Sequence, residues 1–554
     1  MESDFFKFFS KKAVVFSLLG ALMAIVYVPF MIHGGISMEG WVGVDAASGT
    51  TWADNFWVVL RHVPNRPVLV AIAFLTGRLF GENPVGYNVL SILFWLMNCA
   101  LAASVLKRFL GGTAAMLFVL FASVPVAASS ALLHSSVLLG MIAAVLFWTV
   151  SFHYLVKFQE GKKWLDFALG YFFVLMSLLT YEVTLPLIVL NILLPFVYRD
   201  KKVVLKIVGH GLMVASLVGL SSLNQLILMP RLLHIHISSL ILNGMTLRRV
   251  VWSVGSWFYS LSFDLPILLL SSLNKVGILE FSEVALLLFL LIFGIKQMSN
   301  QLETRSGMRK LFLMTVLISL MSCAALFIFS IAKPSTYGYA NRVLLSSYFL
   351  LCIFLADATS HLSKSRAYWV CALVLLPFYT SMISQRDNFI EAARLAKAIL
   401  EDCAHKVLEQ NVPAPAAVFA NVPEHTAKNI NNEEVLLGWW DFGFGLKYFT
   451  KGVVDPVKSH VITVNYLVKK ADEGYENHFT SRAAEVRKNL WYYEYDIKSG
   501  QSFLRRIPED QDIHVLIDEI KAKNLNGIVP ILSLEIKERV KSRFKLGRDL
   551  LRKG

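Results

Sequence analysis

The chain has 554 residues, of which 56% are hydrophobic and 17% are charged, whereas ordinary soluble domains carry about 25% charged residues. Several apolar runs reach the roughly 20 residues that a helix needs to cross the hydrocarbon core of a bilayer. The composition therefore excludes a soluble globular protein and predicts an α-helical polytopic membrane protein.

Most of the net charge of +14 lies in the apolar part of the chain. Residues 1–384 carry 27 Lys and Arg against 15 Asp and Glu, whereas residues 385–554 carry 26 and 24. Cytoplasmic loops of membrane proteins collect Lys and Arg, so the excess charge indicates loops at a membrane and no nucleic-acid partner. The five cysteines show no metal-binding or disulfide spacing.

Apolar runs predict about eleven transmembrane helices. The first is too long for the core of a signal peptide, so we expect it to be retained. Lys11 and Lys12 place the N-terminus in the cytoplasm, and the basic connectors between later helices then fall on the same side. The predicted spans are residues 13–32, 85–106, 112–130, 133–156, 164–181, 183–198, 203–223, 281–296, 311–331, 343–358 and 367–384.

Residues 251–273 are apolar enough to form a twelfth span. Counting them as one would place Arg305, Arg309 and Lys310 outside the cell, against the rule that basic loops are cytoplasmic. We therefore predict two long outer loops, 33–84 and 225–280, the second with interfacial or re-entrant helices.

The last part of the chain, residues 385–554, is less apolar. Residues 388–409 have apolar positions at helical spacing. Short strand-like runs follow at 417–422 and 461–468, and the runs 491–496 and 502–507 flank a turn typical of a hairpin. We predict a transmembrane domain over 1–384 and a small extracytoplasmic α+β domain over 385–554.

The first outer loop, 33–84, contains candidate catalytic residues. Asp45 and Asp54 are carboxylates near the membrane surface, where a carboxylate can take a proton from an incoming nucleophile. Arg66 precedes Pro67 at the start of an apolar helix, and its guanidinium could bind a phosphate through two hydrogen bonds. The alternatives are solvated loop carboxylates and an arginine that extends to lipid headgroups.

Two further polar segments lie in predicted outer loops. Tyr181 and Glu182 separate two spans, and Glu182 has no basic neighbour in sequence. Asn341 and Arg342 precede a late span and form a second candidate phosphate-binding pair. Ionisable groups near the membrane plane are costly and are therefore functional candidates. The alternative for Glu182 is a structural carboxylate that is paired in the fold.

These segments, in this order, resemble the GT-C class of polytopic glycosyltransferases, nearest to the protein O-mannosyltransferase-like and aminoarabinose-transferase-like enzymes. The resemblance covers most of the chain and rests on segments that are individually short: Asp45, Trp57, Arg66-Pro67, residues 81–88, Tyr181-Glu182 with Pro186, residues 339–345 and residues 418–423.

The resemblance implies a transfer of sugar from a polyprenyl-phosphate donor. It assigns Asp45 as general base or positioning carboxylate, Arg66 and Arg342 as ligands of the lipid phosphate, and Glu182 as an acid near the acceptor pocket. Many members carry two adjacent acids in the first loop, whereas Asp45 is followed by Ala46 and Ala47. Asp54 is the candidate replacement, no cofactor is firmly implied, and dependence on a divalent metal stays open.

The leading hypothesis is a membrane glycosyltransferase that acts on an extracytoplasmic glycan, lipid or protein acceptor, in the bilayer of a bacterial inner membrane. One alternative is a non-catalytic partner that binds a lipid-linked glycan. A secondary transporter is the third, although transporters tend to show internal repeats and ionisable groups near the midplane, and this sequence shows neither pattern clearly.

Overall fold

The structure is a computed structural model, and it describes residues 2–36, 40–48, 56–57, 60, 66–223, 254–273, 286, 289–292, 306–329, 339–364, 368–423, 435–436, 442–455, 459–461, 467–470, 474–477, 489–496 and 499–508. Apolar runs form long helices, and a small sheet follows them near the C-terminus. Asp54 and most of the predicted loop 225–280 lie outside the described residues.

The helices follow the apolar pattern of the sequence. They are α1 (Glu2–His33), α2 (Gly40–Ser48), α3 (Pro67–Phe80), α4 (Pro84–Leu110), α5 (Gly112–Ala122), α6 (Ser130–Leu133), α7 (Ser135–Gly161), α8 (Trp164–Thr180), α9 (Leu185–Val197), α10 (Val203–Leu223), α11 (Leu265–Leu273), α12 (Ser306–Phe329), α13 (Leu345–Lys364), α14 (Tyr368–Glu409) and α15 (Phe444–Phe449). Short 3₁₀ turns lie at Val126–Ala128, Glu182–Thr184 and Tyr339–Leu344, and a π-helical turn lies at Ser260–Asp264.

Among the described residues, four helices are long and apolar enough to cross a membrane, by length and composition. They are Pro84–Leu110, Leu138–Gly161, Val203–Ser221 and Asn341–His361. Six shorter apolar helices accompany them, including Val254–Leu270 in the second predicted loop. The prediction of a helical polytopic membrane protein with a small C-terminal sheet is confirmed. The count of eleven spans, the orientation and the inner-membrane location stay predictions.

The predicted span 112–130 is not one continuous helix. The helix α5 ends at Ala122, and a 3₁₀ turn and the short helix α6 follow. Pro125 explains the break, because proline has no N–H to donate and disfavours helical geometry in the residue before it. The sequence prediction missed this break because the segment is apolar throughout.

Side chains of other helices supply the hydrogen bonds that the broken segment lacks. The carbonyl groups of residues 120–124 and 126 each accept a hydrogen bond from a buried side chain. The donors are Tyr379 to Leu120 at 3.1 Å, Tyr348 to Phe121 at 2.8 Å and Val124 at 2.7 Å, Trp95 to Ala122 at 2.9 Å, Gln385 to Val126 at 3.0 Å, and Tyr27 to Ser123. The break is therefore fixed in place by α1, α4, α13 and α14.

The chain divides into two compact units. One comprises Met1–His33, Thr51–Thr76 and Val85–Arg386, and the other comprises Gly34–Thr50, Gly77–Pro84 and Asp387–Gly554. The second unit contains a four-stranded sheet of order β2-β1-β5-β6 and a separate hairpin β3-β4. The strands are β1 (Ala417–Asn421), β2 (His460–Val461), β3 (Leu467–Lys470), β4 (Gly474–Asn477), β5 (Leu490–Tyr495) and β6 (Ser502–Arg506).

The core of the second unit forms where the C-terminal part of α14 packs on this sheet. Strands β2 and β5 both run parallel to β1, and β5 and β6 form the antiparallel hairpin that the sequence predicts. Leu400, Val418 and Tyr493 are fully buried in the core, together with Trp41 of α2. The limits predicted for the two domains stay predictions.

In the first unit, Arg386 compensates for a proline inside α1. Pro29 cannot donate to the carbonyl of Ile25, four residues earlier, and Arg386 Nη1 donates to that carbonyl at 2.7 Å and to Val26 O at 3.1 Å. Arg386 is 3% exposed, so it is held inside the protein by these bonds.

We expect Arg386→Met to lower the free energy of unfolding by about 1–3 kcal/mol, because it leaves the part-buried carbonyl of Ile25 without a donor. In a Pro29→Ala background the loss should be smaller, because the restored N–H can bond to Ile25 O. The free energy of unfolding is measured in mixed micelles for wild type, Arg386→Met, Pro29→Ala and the double variant. Arg394→Met, on the exposed face of α14, is the control. Equal losses in both backgrounds would contradict this account.

Candidate functional site

Arg66 lies at the start of α3, where the sequence places it. Its carbonyl accepts the first hydrogen bond of the helix, from Val70 N at 3.0 Å, and Pro67 occupies the first helical position, for which its fixed φ is suited. The backbone at Arg66 is therefore ordered by the helix that follows it.

Tyr181 and Glu182 lie where α8 ends and α9 has not yet begun. Tyr181 has an extended backbone, and Glu182 opens the 3₁₀ turn that leads into α9. Two helices hold this turn in place through Ser177, whose Oγ lies 2.7 Å from Thr184 Oγ1 and donates to Ala144 O at 2.9 Å. Ser346 also donates to the carbonyl of Val183, so the backbone of this turn is held by α7, α8 and α13.

Arg66, Tyr181 and Glu182 form one cluster. Arg66 Nε donates to Glu182 Oε2 at 3.0 Å, and Arg66 Nη2 donates to Glu182 Oε1, which makes the ion pair bidentate. The guanidinium carbon of Arg66 lies 3.8 Å from the centroid of the Tyr181 ring, within the range of a cation–π contact. The structure thus brings Arg66 into contact with Glu182, 116 positions later in the sequence, and with its neighbour Tyr181.

The charges in this cluster stabilise one another. Burial alone would raise the pKa of Glu182, but the charge and hydrogen bonds of Arg66 outweigh it and hold that pKa below its ordinary value. Burial would lower the pKa of Arg66, but Tyr181 and Glu182 raise it above its ordinary value. Both side chains are therefore charged at neutral pH.

A glycine in α7 allows α3 to approach closely. A Cβ atom at Gly140 would lie 2.0 Å from Cδ1 and 3.3 Å from Cγ of Leu69. A larger residue at position 140 would therefore push against the first turn of α3, which carries Arg66. The close approach of Gly140 to Leu69 is a contact that the sequence alone does not reveal.

Asn341 and Arg342 lie in the 3₁₀ turn before α13. Asn341 is fully buried: its Oδ1 accepts hydrogen bonds from Ser130 N at 2.9 Å and Ser130 Oγ at 2.5 Å, and its Nδ2 donates to Ser129 Oγ at 2.9 Å. These contacts fix the turn that carries Arg342, which is partly buried. Substrate contacts by Asn341 and Arg342 stay predictions.

Asp45 belongs to the second unit. It lies in α2 and pairs with Lys447 of α15, whose Nζ lies 2.7 Å from Asp45 Oδ2. Trp41 of α2 packs against Tyr448 and Phe449, with ring centroids 5.8 and 5.1 Å apart. Sequence reasoning missed Lys447, which lies 402 positions from its partner. The catalytic roles predicted for Asp45 and Asp54 stay predictions.

In the described part of the chain, no group of three or more His, Cys, Asp or Glu side chains is placed to hold a metal ion.

Comparison with known proteins gives a structural likeness only. No family model matches the sequence, and no curated protein is significantly similar to it. The chain is similar to the apo structure of ArnT from Cupriavidus metallidurans, with a TM-score of 0.40 and 12% identity over 88% of this chain and 94% of that one. A structure of the same ArnT bound to undecaprenyl phosphate gives a TM-score of 0.37 and 11% identity over 79% and 85%. Similarity at this level is no evidence of a shared activity.

We expect the Arg66–Glu182 pair to stabilise the protein in a pH-dependent way. Because the folded pKa of Glu182 lies below its ordinary value of 4.5, the contribution is complete above that value and is lost as pH falls through the lowered pKa. It should stay below about 1 kcal/mol, because the Glu182 side chain is 43% exposed. Unfolding of wild type and Glu182→Gln across this range measures it, and a difference that does not change with pH would contradict it.

Proposed function

We propose that the protein is a membrane glycosyltransferase that moves a sugar from a polyprenyl-phosphate donor to a hydroxyl group of an extracytoplasmic acceptor. The observation that carries the proposal is the cluster of Arg66, Glu182 and Tyr181, in which a fixed guanidinium and a carboxylate lie side by side at the ends of apolar helices. The resemblance of the sequence to GT-C enzymes supports the same activity.

The chemistry that this cluster can perform follows from its two charged groups. The acceptor oxygen attacks the anomeric carbon of the sugar, and the bond between that carbon and the phosphate oxygen breaks. The lipid phosphate leaves with the electron pair, and Arg66 stabilises the negative charge that grows on it. Glu182 takes the proton of the acceptor hydroxyl. The products are the glycosylated acceptor and the polyprenyl phosphate.

The geometry suits a phosphate because arginine binds phosphate and carboxylate through the same pair of parallel N–H groups. Arg66 is held by Tyr181 on its face and by the first turn of α3 at its backbone. A charged group that is already oriented needs little reorganisation when charge develops on the leaving phosphate.

We expect Arg66→Ala to lower the rate of sugar transfer by about 100- to 1000-fold, the usual loss when one preorganised charge-stabilising group is removed. Arg66→Lys should recover only part of the rate, because lysine keeps the charge but lacks the paired donors. The assay follows radiolabelled polyprenyl-phosphate sugar with purified protein in nanodiscs.

The matched control is Arg108→Ala. Arg108 also pairs with a glutamate, Glu160, and the two side chains are 33% and 45% exposed, close to 21% and 43% in the Arg66 pair. This control should keep nearly full activity. Equal losses for both arginine variants would indicate a structural cause, and transfer unaffected by Arg66→Ala would overturn the proposed site.

The role of Asp45 is tested by a pair of variants that break the same ion pair. Asp45→Asn and Lys447→Met should each lower stability by less than about 1 kcal/mol, because the Lys447 side chain is 37% exposed. If Asp45 in place of Glu182 is the general base, or if Asp45 positions the acceptor, transfer should fall much further for Asp45→Asn than for Lys447→Met. Equal rates in the two variants would limit Asp45 to its ion pair.

A further inference from the structure

The carboxylate of Glu182 occupies the position on Arg66 that a phosphate would need. Its two oxygens accept hydrogen bonds from Nε and Nη2 of Arg66. This edge of a guanidinium binds one carboxylate or phosphate through two parallel hydrogen bonds. A phosphate at this edge would displace the carboxylate. A phosphate at another edge would still share the single positive charge of Arg66 with Glu182. Both arrangements place the ligand and Glu182 in competition.

We infer that Glu182 is an internal substitute for the lipid phosphate: it closes the site in the ligand-free protein, and a donor phosphate opens it by replacing the carboxylate on Arg66. This inference rests on the proposed function, because it concerns how the same site is regulated. The exchange makes and breaks only hydrogen bonds and an ion pair.

The two partners differ in how firmly they are held, and the difference says which one moves. The Arg66 side chain is 21% exposed and stacks on Tyr181 at 3.8 Å, whereas the Glu182 side chain is 43% exposed. Ser346 donates to the carbonyl of Val183, and Ser177 contacts the hydroxyl of Thr184. These contacts fix the backbone next to Glu182, so only the Glu182 side chain has to turn away. Arg66 therefore stays in place to receive the phosphate.

Among the described residues, Arg66 is the one whose charge lowers the pKa of Glu182, and Tyr181 is the other titratable group in the cluster. A carboxylate that leaves Arg66 loses this stabilisation, and its affinity for a proton rises. Binding of the donor would therefore convert Glu182 from an ion-pair partner into a better base at the moment when an acceptor proton has to be taken up.

The test measures binding of undecaprenyl phosphate without sugar to the full-length protein in nanodiscs near neutral pH. Glu182→Gln should bind it about fivefold more tightly than wild type, the size of one partly exposed ion pair that no longer competes. Glu182→Ala should show the same gain. The gain should vanish when Arg66→Ala is added, because no guanidinium is then released.

The matched control is Glu160→Gln, which frees Arg108 from a similarly exposed pair and should leave the affinity unchanged. Unchanged or weaker binding in both Glu182 variants would overturn the inference, provided that size-exclusion chromatography shows both variants to be folded. An equal gain in Glu160→Gln would also overturn it, because general anion attraction would explain both.

The transfer assay separates this inference from the proposed function. Tighter binding in the Glu182 variants, with no sugar transfer by wild type from any donor, would retain the exchange and reject the transferase. Transfer that depends on Arg66, with affinity indifferent to Glu182, would retain the transferase and reject the exchange.

Discussion

Every backbone N–H and C=O group inside a bilayer has to find its partner within the protein, and this requirement organises the first unit around the break that follows α5. The carbonyls of residues 120–124 and 126 accept hydrogen bonds from buried side chains of four other helices. Each such donor contributes about 1–3 kcal/mol against the alternative of a buried carbonyl left unpaired. The non-helical segment is therefore a point of attachment, where α1, α4, α13 and α14 are tied to one another by directional bonds in addition to apolar packing.

The same requirement accounts for many of the polar residues in apolar helices. Arg386 replaces the donor that Pro29 lacks, Asn88 Nδ2 donates to the carbonyl of Phe30 at 3.1 Å near the end of α1, and Asn341 fixes the turn before α13. These side chains are buried and directed at backbone or at other buried side chains. Arg66 and Glu182 differ from them, because they are partly exposed and bind each other. The Arg108–Glu160 pair is exposed to a similar degree, and the Arg66 pair is distinguished by the Tyr181 ring that stacks on its guanidinium.

The sequence predicts the identity of the cluster residues but not their contact. Arg66 before Pro67, and Tyr181-Glu182 between two apolar runs, are visible in the pattern of hydropathy. Their pairing across 116 positions depends on how distant helices pack, and a close contact such as that of Gly140 with Leu69 of α3 carries no signal in a single sequence. The break after Ala122 and the Asp45–Lys447 pair were missed for related reasons: an apolar run conceals a kink, and a lysine 402 positions away carries no local signal. The helical membrane class and the β5–β6 hairpin, in contrast, follow from local patterns.

An energetic comparison supports a functional origin for the cluster. A partly exposed ion pair contributes about 0–1 kcal/mol to stability. Several ordered features surround this pair: the proline that starts α3, Gly140 in contact with α3, the stacked Tyr181, and the hydrogen bonds that hold the turn at Glu182. Such an arrangement is more than a weak ion pair requires for its own sake. A guanidinium requires such an arrangement if an oxyanion is to bind it in a fixed geometry, because preorganisation lowers the entropic cost of binding. In the proposed exchange, the Glu182 carboxylate keeps the arginine oriented and its charge compensated until a phosphate takes its place.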